Sequence, residues 1–151
     1  MTEIRKLGAN DIDIIKELFI SVFTSEPWFD DWSDPVQLNS YILDLIGNNN
    51  SLSLGLYEHN VLVGLALGYI MHWFAGTEYY IHEFCVKTEK QGKGLGSEFM
   101  RLIGEYVRGL GVDHIFLQTD RSLPAFDFYV KNGFRELEGH VSLVCRPDDK
   151  H

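Results

Sequence analysis

Hydrophobic residues recur at two spacings along the chain, and the change of spacing predicts where helices give way to strands. Helical spacing predicts a helix capped at Asn10, a helix from Asp34-Pro35 to Gly47, and helices over residues 95–110 and 125–131. Alternating or continuous apolar runs predict strands at residues 51–57, 61–70, 78–86, 115–119 and 141–145. This order of helices, a strand meander and then alternating strands and helices predicts an α/β (α+β) fold with a mixed sheet.

The connections and the length of the chain complete this prediction. His59-Asn60 is expected to form the turn of a hairpin, and residues 71–77 are expected to form a loop. No internal repeat separates the chain into parts. We therefore expect a single domain over residues 1–151.

The charge of the chain restricts its partners. The formal net charge is −9, from 13 Lys plus Arg and 22 Asp plus Glu. An acidic surface does not suit nucleic acid, whose phosphates need a basic face, but it suits a cationic small molecule or a basic peptide. No apolar run is long enough to span a membrane, and no secretory signal is apparent, so a cytoplasmic protein is expected.

The two cysteines, Cys85 and Cys145, both lie in apolar, strand-like segments. Two thiols alone do not make a metal cluster, and no other ligand set is apparent in the sequence. We expect two reduced thiols in the core and no bound metal.

A glycine-rich segment joins the strand at 78–86 to the helix at 95–110. Its glycines stand at positions 92, 94 and 96, with Lys93 among them. A helix N-terminus presents unpaired N–H groups and partial positive charge, and glycines let the backbone approach an anion closely. The segment therefore predicts a phosphate cradle. Its spacing fits neither the P-loop G-x-x-x-x-G-K-[ST] nor the dinucleotide fingerprint G-x-G-x-x-G.

The spacing of Gln91, Gly94 and Gly96 does fit Q-x-x-G-x-G, and here the chain resembles the GNAT superfamily, which binds the pyrophosphate of coenzyme A with this motif. Residues 125–134 are similar to the family segment A-x-x-x-Y-x-x-x-G-F, and residues 83–86 resemble its central strand. The resemblance implies a GNAT-like domain with a mixed central sheet of about six or seven strands, splayed where the coenzyme enters, and helices on both faces.

The resemblance also implies acetyl-CoA as co-substrate. The pantetheine arm is expected to pair with the strand backbone near Val86, and the phosphates to lie on the glycine turn. The coenzyme contacts implied in this way are Phe84, Val86, Gln91, Gly92, Lys93, Gly94, Gly96, Ser97, Ser122 and Phe126. Ser122 departs from the family pattern, because many members carry an asparagine at this position.

Three residues are candidates for the proton transfers. Tyr129 matches the family tyrosine near the coenzyme sulfur and is expected to protonate the departing thiolate. The base is expected to be Glu83, since aminoglycoside 6'-N-acetyltransferases often have an acidic residue there, or its neighbour His82, directly or through water. Successive strand residues face opposite sides, so both can line one site only if a bulge intervenes.

An aromatic and acidic stretch between the first two helices lies where the superfamily forms part of its acceptor cleft. Trp28, Asp30 and Asp31 are expected to hold a cationic acceptor there; the alternative is a hydrophobic plug surrounded by solvated acids. Tyr80 is expected to line the other wall. Asp120 either faces the acceptor, as in aminoglycoside 6'-N-acetyltransferases, or forms an Asx turn.

These residues predict an acetyl-CoA-dependent N-acetyltransferase acting on a primary amine of a small cationic molecule, of the aminoglycoside or polyamine type, by direct transfer in a ternary complex. Backbone N–H groups are expected to polarise the thioester carbonyl. A protein or peptide N-acetyltransferase and a non-catalytic acetyl-CoA-binding regulatory module are the alternatives. Pairing of the strand at 141–145 across subunits would allow a homodimer, as is common in the family.

Overall fold

The structure, a computed structural model, describes residues 1–148, and the chain divides into two compact units, Met1–Gln118 and Thr119–His151. None of the helices in the described part is long and apolar enough to cross a membrane. The strands and α-helices are β1 (Thr2–Leu7), α1 (Ile12–Phe23), α2 (Pro35–Ile46), β2 (Ser51–Glu58), β3 (Val61–Trp73), β4 (Gly76–Val86), α3 (Leu95–Gly109) and β5 (His114–Leu117) in the first unit, and α4 (Pro124–Lys131) in the second.

The first unit is built on a five-stranded sheet with the strand order β1-β2-β3-β4-β5. The first four strands form antiparallel pairs, and β5 lies parallel to β4. The parallel pair needs a crossover, and α3 provides it. The mixed sheet with its helices confirms the predicted fold class, although its strands are fewer than the six or seven expected.

Two strand predictions were wrong. The sequence reading missed β1, in which three of six residues are charged; this edge strand has little apolar alternation, and its pairing with β2 holds it in place. The strand expected at residues 141–145 is not formed, and Val141, Leu143 and Val144 are 80%, 91% and 97% exposed. An alternating apolar pattern makes a strand only where a neighbouring strand and a buried face are available.

One predicted hairpin connection is confirmed and the other is wrong. His59 and Asn60 form the tight turn between β2 and β3, both with positive φ, as a type I′ turn requires. The loop expected at residues 71–77 is mostly strand, because β3 and β4 stay paired up to Trp73 and Gly76. Exposed apolar side chains near this turn hid the alternation.

The helix starts agree with the sequence in one case and differ in another. α2 begins at Asp34-Pro35 as predicted, and the Asp34 carboxylate caps it by accepting from the N–H groups of Val36 and Gln37 at 3.0 and 3.2 Å. Asn10 does not cap α1; it lies in a short 3₁₀ turn, and Asp11 precedes the helix. The Asp11 carboxylate accepts from the N–H of Gly8 at 2.8 Å, which stabilises this turn instead.

Helices cover both faces of the sheet. The main core lies between α1 and α2 on one side and strand residues such as Leu65, Leu67 and Cys85 on the other. Gly64, the neighbour of Leu65, faces the opposite side, where a Cβ would lie 2.9 Å from the ring of Phe99 on α3. Burial on both faces is what the predicted architecture required.

The two cysteines lie in different environments. Cys85 is fully buried in the main core, and burial raises the pKa of its thiol to about 12. Cys145 is exposed, which contradicts the expectation of a second core thiol. The reason is that residues 141–145 do not join the sheet.

Candidate active site

The glycine-rich turn leads from β4 into α3 with a backbone that glycine permits. Gly92 and Gly94 have φ of +76° and +80°, and Gly94 directly precedes the helix. Within residues 1–148, nothing lies within 4 Å of a Cβ built on either glycine. The glycines thus serve the left-handed backbone rather than close packing, and they leave the N-terminus of α3 accessible to an anion.

Gln91 ties this turn to the end of β4. Its side-chain Nε2 donates a hydrogen bond of 2.9 Å to the carbonyl oxygen of Val86. The 3₁₀ turn Thr88–Lys90 lies between them, and Lys90 forms an ion pair of 2.8 Å with Glu58 at the end of β2. These two contacts therefore fix the segment that directly precedes the glycines of the predicted phosphate cradle.

The parallel pairing of β4 with β5 covers only part of β4. It runs from Glu78↔His114 to Ile81↔Leu117. The pairing of β4 with β3 continues to Val86. The pairing with β5 therefore ends before the segment near Val86 that the coenzyme is expected to contact.

A β-bulge interrupts the pairing of β3 and β4 at His82. Leu67 pairs with Glu83 while Gly68 pairs with Ile81, so His82 is the extra residue on β4. A Cβ on Gly68 would lie only 2.0 Å from the carbonyl oxygen of Tyr80, so glycine is required opposite the bulge. This is the irregularity that the sequence required for neighbouring residues to share a face.

His82 and Glu83 do share a face, the one covered by α1 and α2. Glu83 accepts a hydrogen bond from the hydroxyl of Tyr41 on α2. The ring of His82 lies 5.1 Å from that of Tyr69, whose hydroxyl donates to the carbonyl of Asp44 on the same helix. The bulge thus brings a carboxylate and an imidazole to one side of the sheet.

The pKa of Glu83 is raised from its ordinary value, chiefly by burial. The hydrogen bond from Tyr41 acts in the opposite direction, because it stabilises the charged carboxylate. The negative charge of Asp30 raises this pKa further. A half-buried carboxylate with a raised pKa is a stronger proton acceptor than an ordinary glutamate.

His82 lies in an aromatic stack. The ring of Tyr80 stacks on it at 4.2 Å between centroids, and Tyr80 itself donates a hydrogen bond of 2.7 Å to the Gln118 side chain. Partial burial lowers the pKa of His82, which favours the neutral imidazole. No group of three or more His, Cys, Asp or Glu side chains within residues 1–148 is arranged to hold a metal ion.

Aromatic side chains of the loop between α1 and α2 pack against the core, while its role in binding an acceptor stays a prediction. Trp28 packs edge-on against Phe23 at 5.1 Å, and Trp32 stacks on Tyr41 at 5.2 Å, so aromatic side chains do anchor the loop to the core. Asp30 lies close enough to Glu83 to affect its pKa.

Asp31 has a local role within that loop. Its carboxylate accepts a hydrogen bond of 3.0 Å from the N–H of Ser33. The Ser33 side chain and then this N–H lower the pKa of Asp31. Asp31 is exposed to solvent. The loop therefore places Asp30 next to the buried carboxylate, while Asp31 stabilises the turn that follows.

The second unit holds the remaining candidates. Asp120 forms an Asx turn, with its carboxylate accepting from the N–H and the hydroxyl of Ser122 at 2.8 and 2.6 Å. Tyr129 is buried on α4, in edge-on contact with Phe134 at 5.5 Å, and Gly133 ends the helix with φ of +94°. Phe126 lies one turn earlier on α4 and is half-buried.

The sequence reading missed three residues of this arrangement. Tyr41 and Tyr69 sit in apolar stretches of a helix and a strand, where a tyrosine reads as a core residue. At Gly68 the sequence signal was a glycine within a predicted strand, a pattern that often marks a bulge. Their roles depend on pairing across elements that are distant in sequence.

Comparison with known proteins identifies the family. The profile described as the acetyltransferase (GNAT) family matches residues 13–134, a range that extends across both units. A curated relative, the uncharacterised N-acetyltransferase YobR of Bacillus subtilis (strain 168), is 26% identical over 92 residues. That match covers 60% of this chain, and it spans only 36% of the length of the relative.

Solved structures share the fold. The aminoglycoside acetyltransferase meta-AAC0020 from an uncultured soil metagenomic sample, in complex with sisomicin, has a TM-score of 0.72 and 22% identity, covering 96% of this chain and 97% of that one. The aminoglycoside N-acetyltransferase AAC(6')-Iy in complex with CoA has a TM-score of 0.73 and 13% identity, covering 97% and 95%. At these identities the likeness concerns the fold alone.

Proposed function

The chain belongs to the acetyltransferase (GNAT) family and is an acyltransferase, and from this premise we propose that it transfers acetyl from acetyl-CoA to a primary amine of a small cationic molecule. The acceptor is of the aminoglycoside or polyamine type, and both substrates are bound together in a ternary complex. One functional domain includes both units, a proposal supported by the family match across residues 13–134.

The coenzyme binds along β4 beyond its pairing with β5 and over the glycine turn. Gln91, Gly92, Lys93, Gly94 and Gly96 receive the pyrophosphate, with Ser97 in the first turn of α3. This is supported by the positive φ of the two glycines and by the accessible helix N-terminus. The pantetheine arm pairs with the backbone of β4 near Phe84 and Val86, beyond the pairing of β4 with β5.

The family pattern implies roles for three residues of the second unit. Tyr129 protonates the departing thiolate, and Ser122 and Phe126 contact the coenzyme, as the family pattern implies. Ser122 already bonds to Asp120, so we expect its contact with the coenzyme to be weaker than that of the usual asparagine.

Proton removal from the acceptor amine is the task of Glu83, with His82 beside it. An ammonium ion must lose a proton before its nitrogen attacks the thioester carbonyl. The attack forms the C–N bond, the C–S bond breaks, and the thiolate takes a proton from Tyr129. Backbone N–H groups of β4 polarise the carbonyl during this step.

The single observation that carries the proposal is the bulge at His82. It sets two proton acceptors, Glu83 and His82, on one face of β4, just beyond its pairing with β5. The acidic neighbour Asp30 and the aromatic side chains of Trp28 and Tyr80 give that face the character of a site for a cationic amine. The neutral His82 is the alternative base.

The test is release of coenzyme A thiol from acetyl-CoA in the presence of aminoglycosides, spermidine, free amino acids and lysine peptides. Glu83→Gln is expected to lower kcat/KM about a hundredfold, with unchanged acetyl-CoA binding. Glu17→Gln, an exposed glutamate on α1, serves as the matched control and is expected to retain full activity. His82→Gln separates the two candidate bases.

The panel also decides between the classes of acceptor. Turnover with aminoglycosides or spermidine supports the proposal. Turnover confined to lysine peptides would replace it by a peptide N-acetyltransferase, and tight acetyl-CoA binding without turnover of any amine would replace it by a regulatory module. Sedimentation equilibrium of the same protein tests for a homodimer.

A further inference from the structure

Tyr41, the one aromatic residue of α2, lies between aromatic rings and a carboxylate. Its hydroxyl donates a hydrogen bond to Oε2 of Glu83, forty-two positions further along the chain. Its ring stacks on Trp32 with an interplanar angle of 21°, and the ring of Phe19 on α1 lies 6.1 Å away. Aromatic neighbours therefore hold the ring of Tyr41, and the Glu83 carboxylate holds its hydroxyl.

We propose that Tyr41 is a positioning residue, whose hydroxyl holds the Glu83 carboxylate in the orientation and the ionised form that deprotonation of the acceptor requires. The inference rests on the proposed function of Glu83 as base. A glutamate side chain has three rotatable torsions, and a fixed hydrogen bond to one oxygen leaves the other oxygen directed toward a proton donor.

The charges around Glu83 explain why such a donor is needed. From the loop before α2, Asp30 opposes the ionised carboxylate; from β4 itself, the buried thiol of Cys85 remains neutral, and His82 is the adjacent residue. Tyr41 is the favourable partner, because its hydrogen bond lowers the pKa of Glu83 against burial and Asp30.

Tyr69 is the remaining titratable neighbour. It faces the same region from β3 and acts on Tyr41, whose own pKa is raised by burial and by Glu83. The phenol of Tyr41 consequently stays protonated, and it remains a donor throughout the pH range in which Glu83 titrates.

The stacking on Trp32 connects this pair to the acceptor loop. Within the described residues, the buried Nε1 of Trp32 has no hydrogen-bond partner, so packing on Tyr41 and on Phe19 at 5.4 Å holds its ring. The loop that carries Asp30 therefore also carries Trp32, whose ring stacks on Tyr41. A shift of the loop on acceptor binding would reach Glu83 through both residues.

Tyr41→Phe tests the proposal, because it keeps the ring and removes the hydroxyl. In protein labelled with ¹³C at the glutamate carboxyl, NMR titration is expected to show a higher pKa of Glu83 in the variant, with Glu83→Gln assigning the signal. The acid limb of the kcat/KM profile is expected to move to higher pH in parallel, and kcat/KM at neutral pH to fall about tenfold. Acetyl-CoA affinity stays unchanged.

Tyr57→Phe is the matched control, since Tyr57 packs against the same core but from β2. In this variant neither the titration of the Glu83 carboxyl nor the kcat/KM profile should move. Asp30→Asn provides a second, independent measurement with the opposite sign, because losing a negative charge lowers the pKa of Glu83. An unchanged Glu83 titration in Tyr41→Phe overturns the proposal, as does a shifted titration with an unchanged pH profile.

The failure of the underlying function gives a different result. If Glu83→Gln keeps full turnover, Glu83 is not the base, and the proposed function is at fault whatever the carboxyl titration shows. If Glu83→Gln is inactive while Tyr41→Phe behaves like wild type, only the positioning role is wrong.

Discussion

A methyl group at Gly68 would collide with the backbone of the neighbouring strand. The added Cβ would lie 2.0 Å from the carbonyl oxygen of Tyr80 and 2.9 Å from Cα of Ile81. Backbone atoms cannot turn aside as a side chain can, so β3 and β4 must separate or the bulge at His82 must rearrange. Gly68→Ala therefore perturbs the feature that sets His82 and Glu83 on one face.

The cost follows from the geometry. Overpacking in a well-packed interior costs about 1–3 kcal/mol, and contact with backbone places this substitution at the upper end, about 3 kcal/mol. For a chain of this size, about 1 kcal/mol changes Tm by about 2–4 °C, so Tm is expected to fall by about 6–12 °C. Differential scanning calorimetry measures the change, and thiol release measures the expected loss of turnover.

Gly104→Ala on α3 is the matched control. A Cβ there meets nothing within 4 Å in the described part of the chain, and alanine favours a helix over glycine by about 0.5–1 kcal/mol. Its Tm should stay the same or rise, with full activity. If Gly68→Ala keeps the wild-type Tm and turnover, the bulge does not depend on this glycine and the reasoning is refuted.

Three further predictions concern other parts of the chain. Gly94→Ala is expected to weaken acetyl-CoA binding about tenfold in titration calorimetry, because the left-handed backbone costs other residues about 1–2 kcal/mol. Tyr129→Phe is expected to lower kcat about a hundredfold without changing acetyl-CoA affinity, since the ring contacts remain and only the acid is lost. His114, held by Asp113 and Glu78 at 3.0 Å each, has a raised pKa. Since this pKa is higher in the folded chain, the stabilisation is complete below the ordinary value of about 6.5 and is lost as pH rises through the folded-state pKa. The free energy of unfolding of wild type should therefore exceed that of His114→Gln most clearly in mildly acidic buffer.

A specific experimental result would contradict each of these three predictions. For the glycine turn, Gly109→Ala at the end of α3 is the control, and equal affinities of the two variants would remove the turn from coenzyme binding. An unchanged kcat in Tyr129→Phe would remove that phenol from the acid role. For His114, urea denaturation at several pH values that shows a constant difference from His114→Gln would exclude the two carboxylates as its source.

The sequence predicted those features that depend on local patterns. A few neighbouring residues are enough to specify the start of α2 at Asp34-Pro35, the glycines before α3 and the apolar stripe of α3. The family resemblance added the fold class. These are the parts where propensity, patterning and turn chemistry agree.

The features it missed depend on residues that are distant in sequence. The bulge at His82 requires Gly68 on the opposite strand, and the carboxylate of Glu83 meets Tyr41 from a helix forty-two positions earlier. The charged strand β1 is held by its pairing with β2 rather than by its own pattern. Conversely, residues 141–145 have the alternation of a strand but are not part of the described sheet. Register and pairing are properties of the assembled sheet.

The contrast between the two thiols makes the chain report on its own unfolding. A thiol reagent reaches the exposed Cys145 in the native protein, whereas Cys85 is protected both by burial and by its high pKa. The slow modification of Cys85 therefore measures how often the main core opens at this position, two residues from Glu83. An acceptor or coenzyme that stabilises this region will slow the reaction, and binding becomes measurable without any turnover.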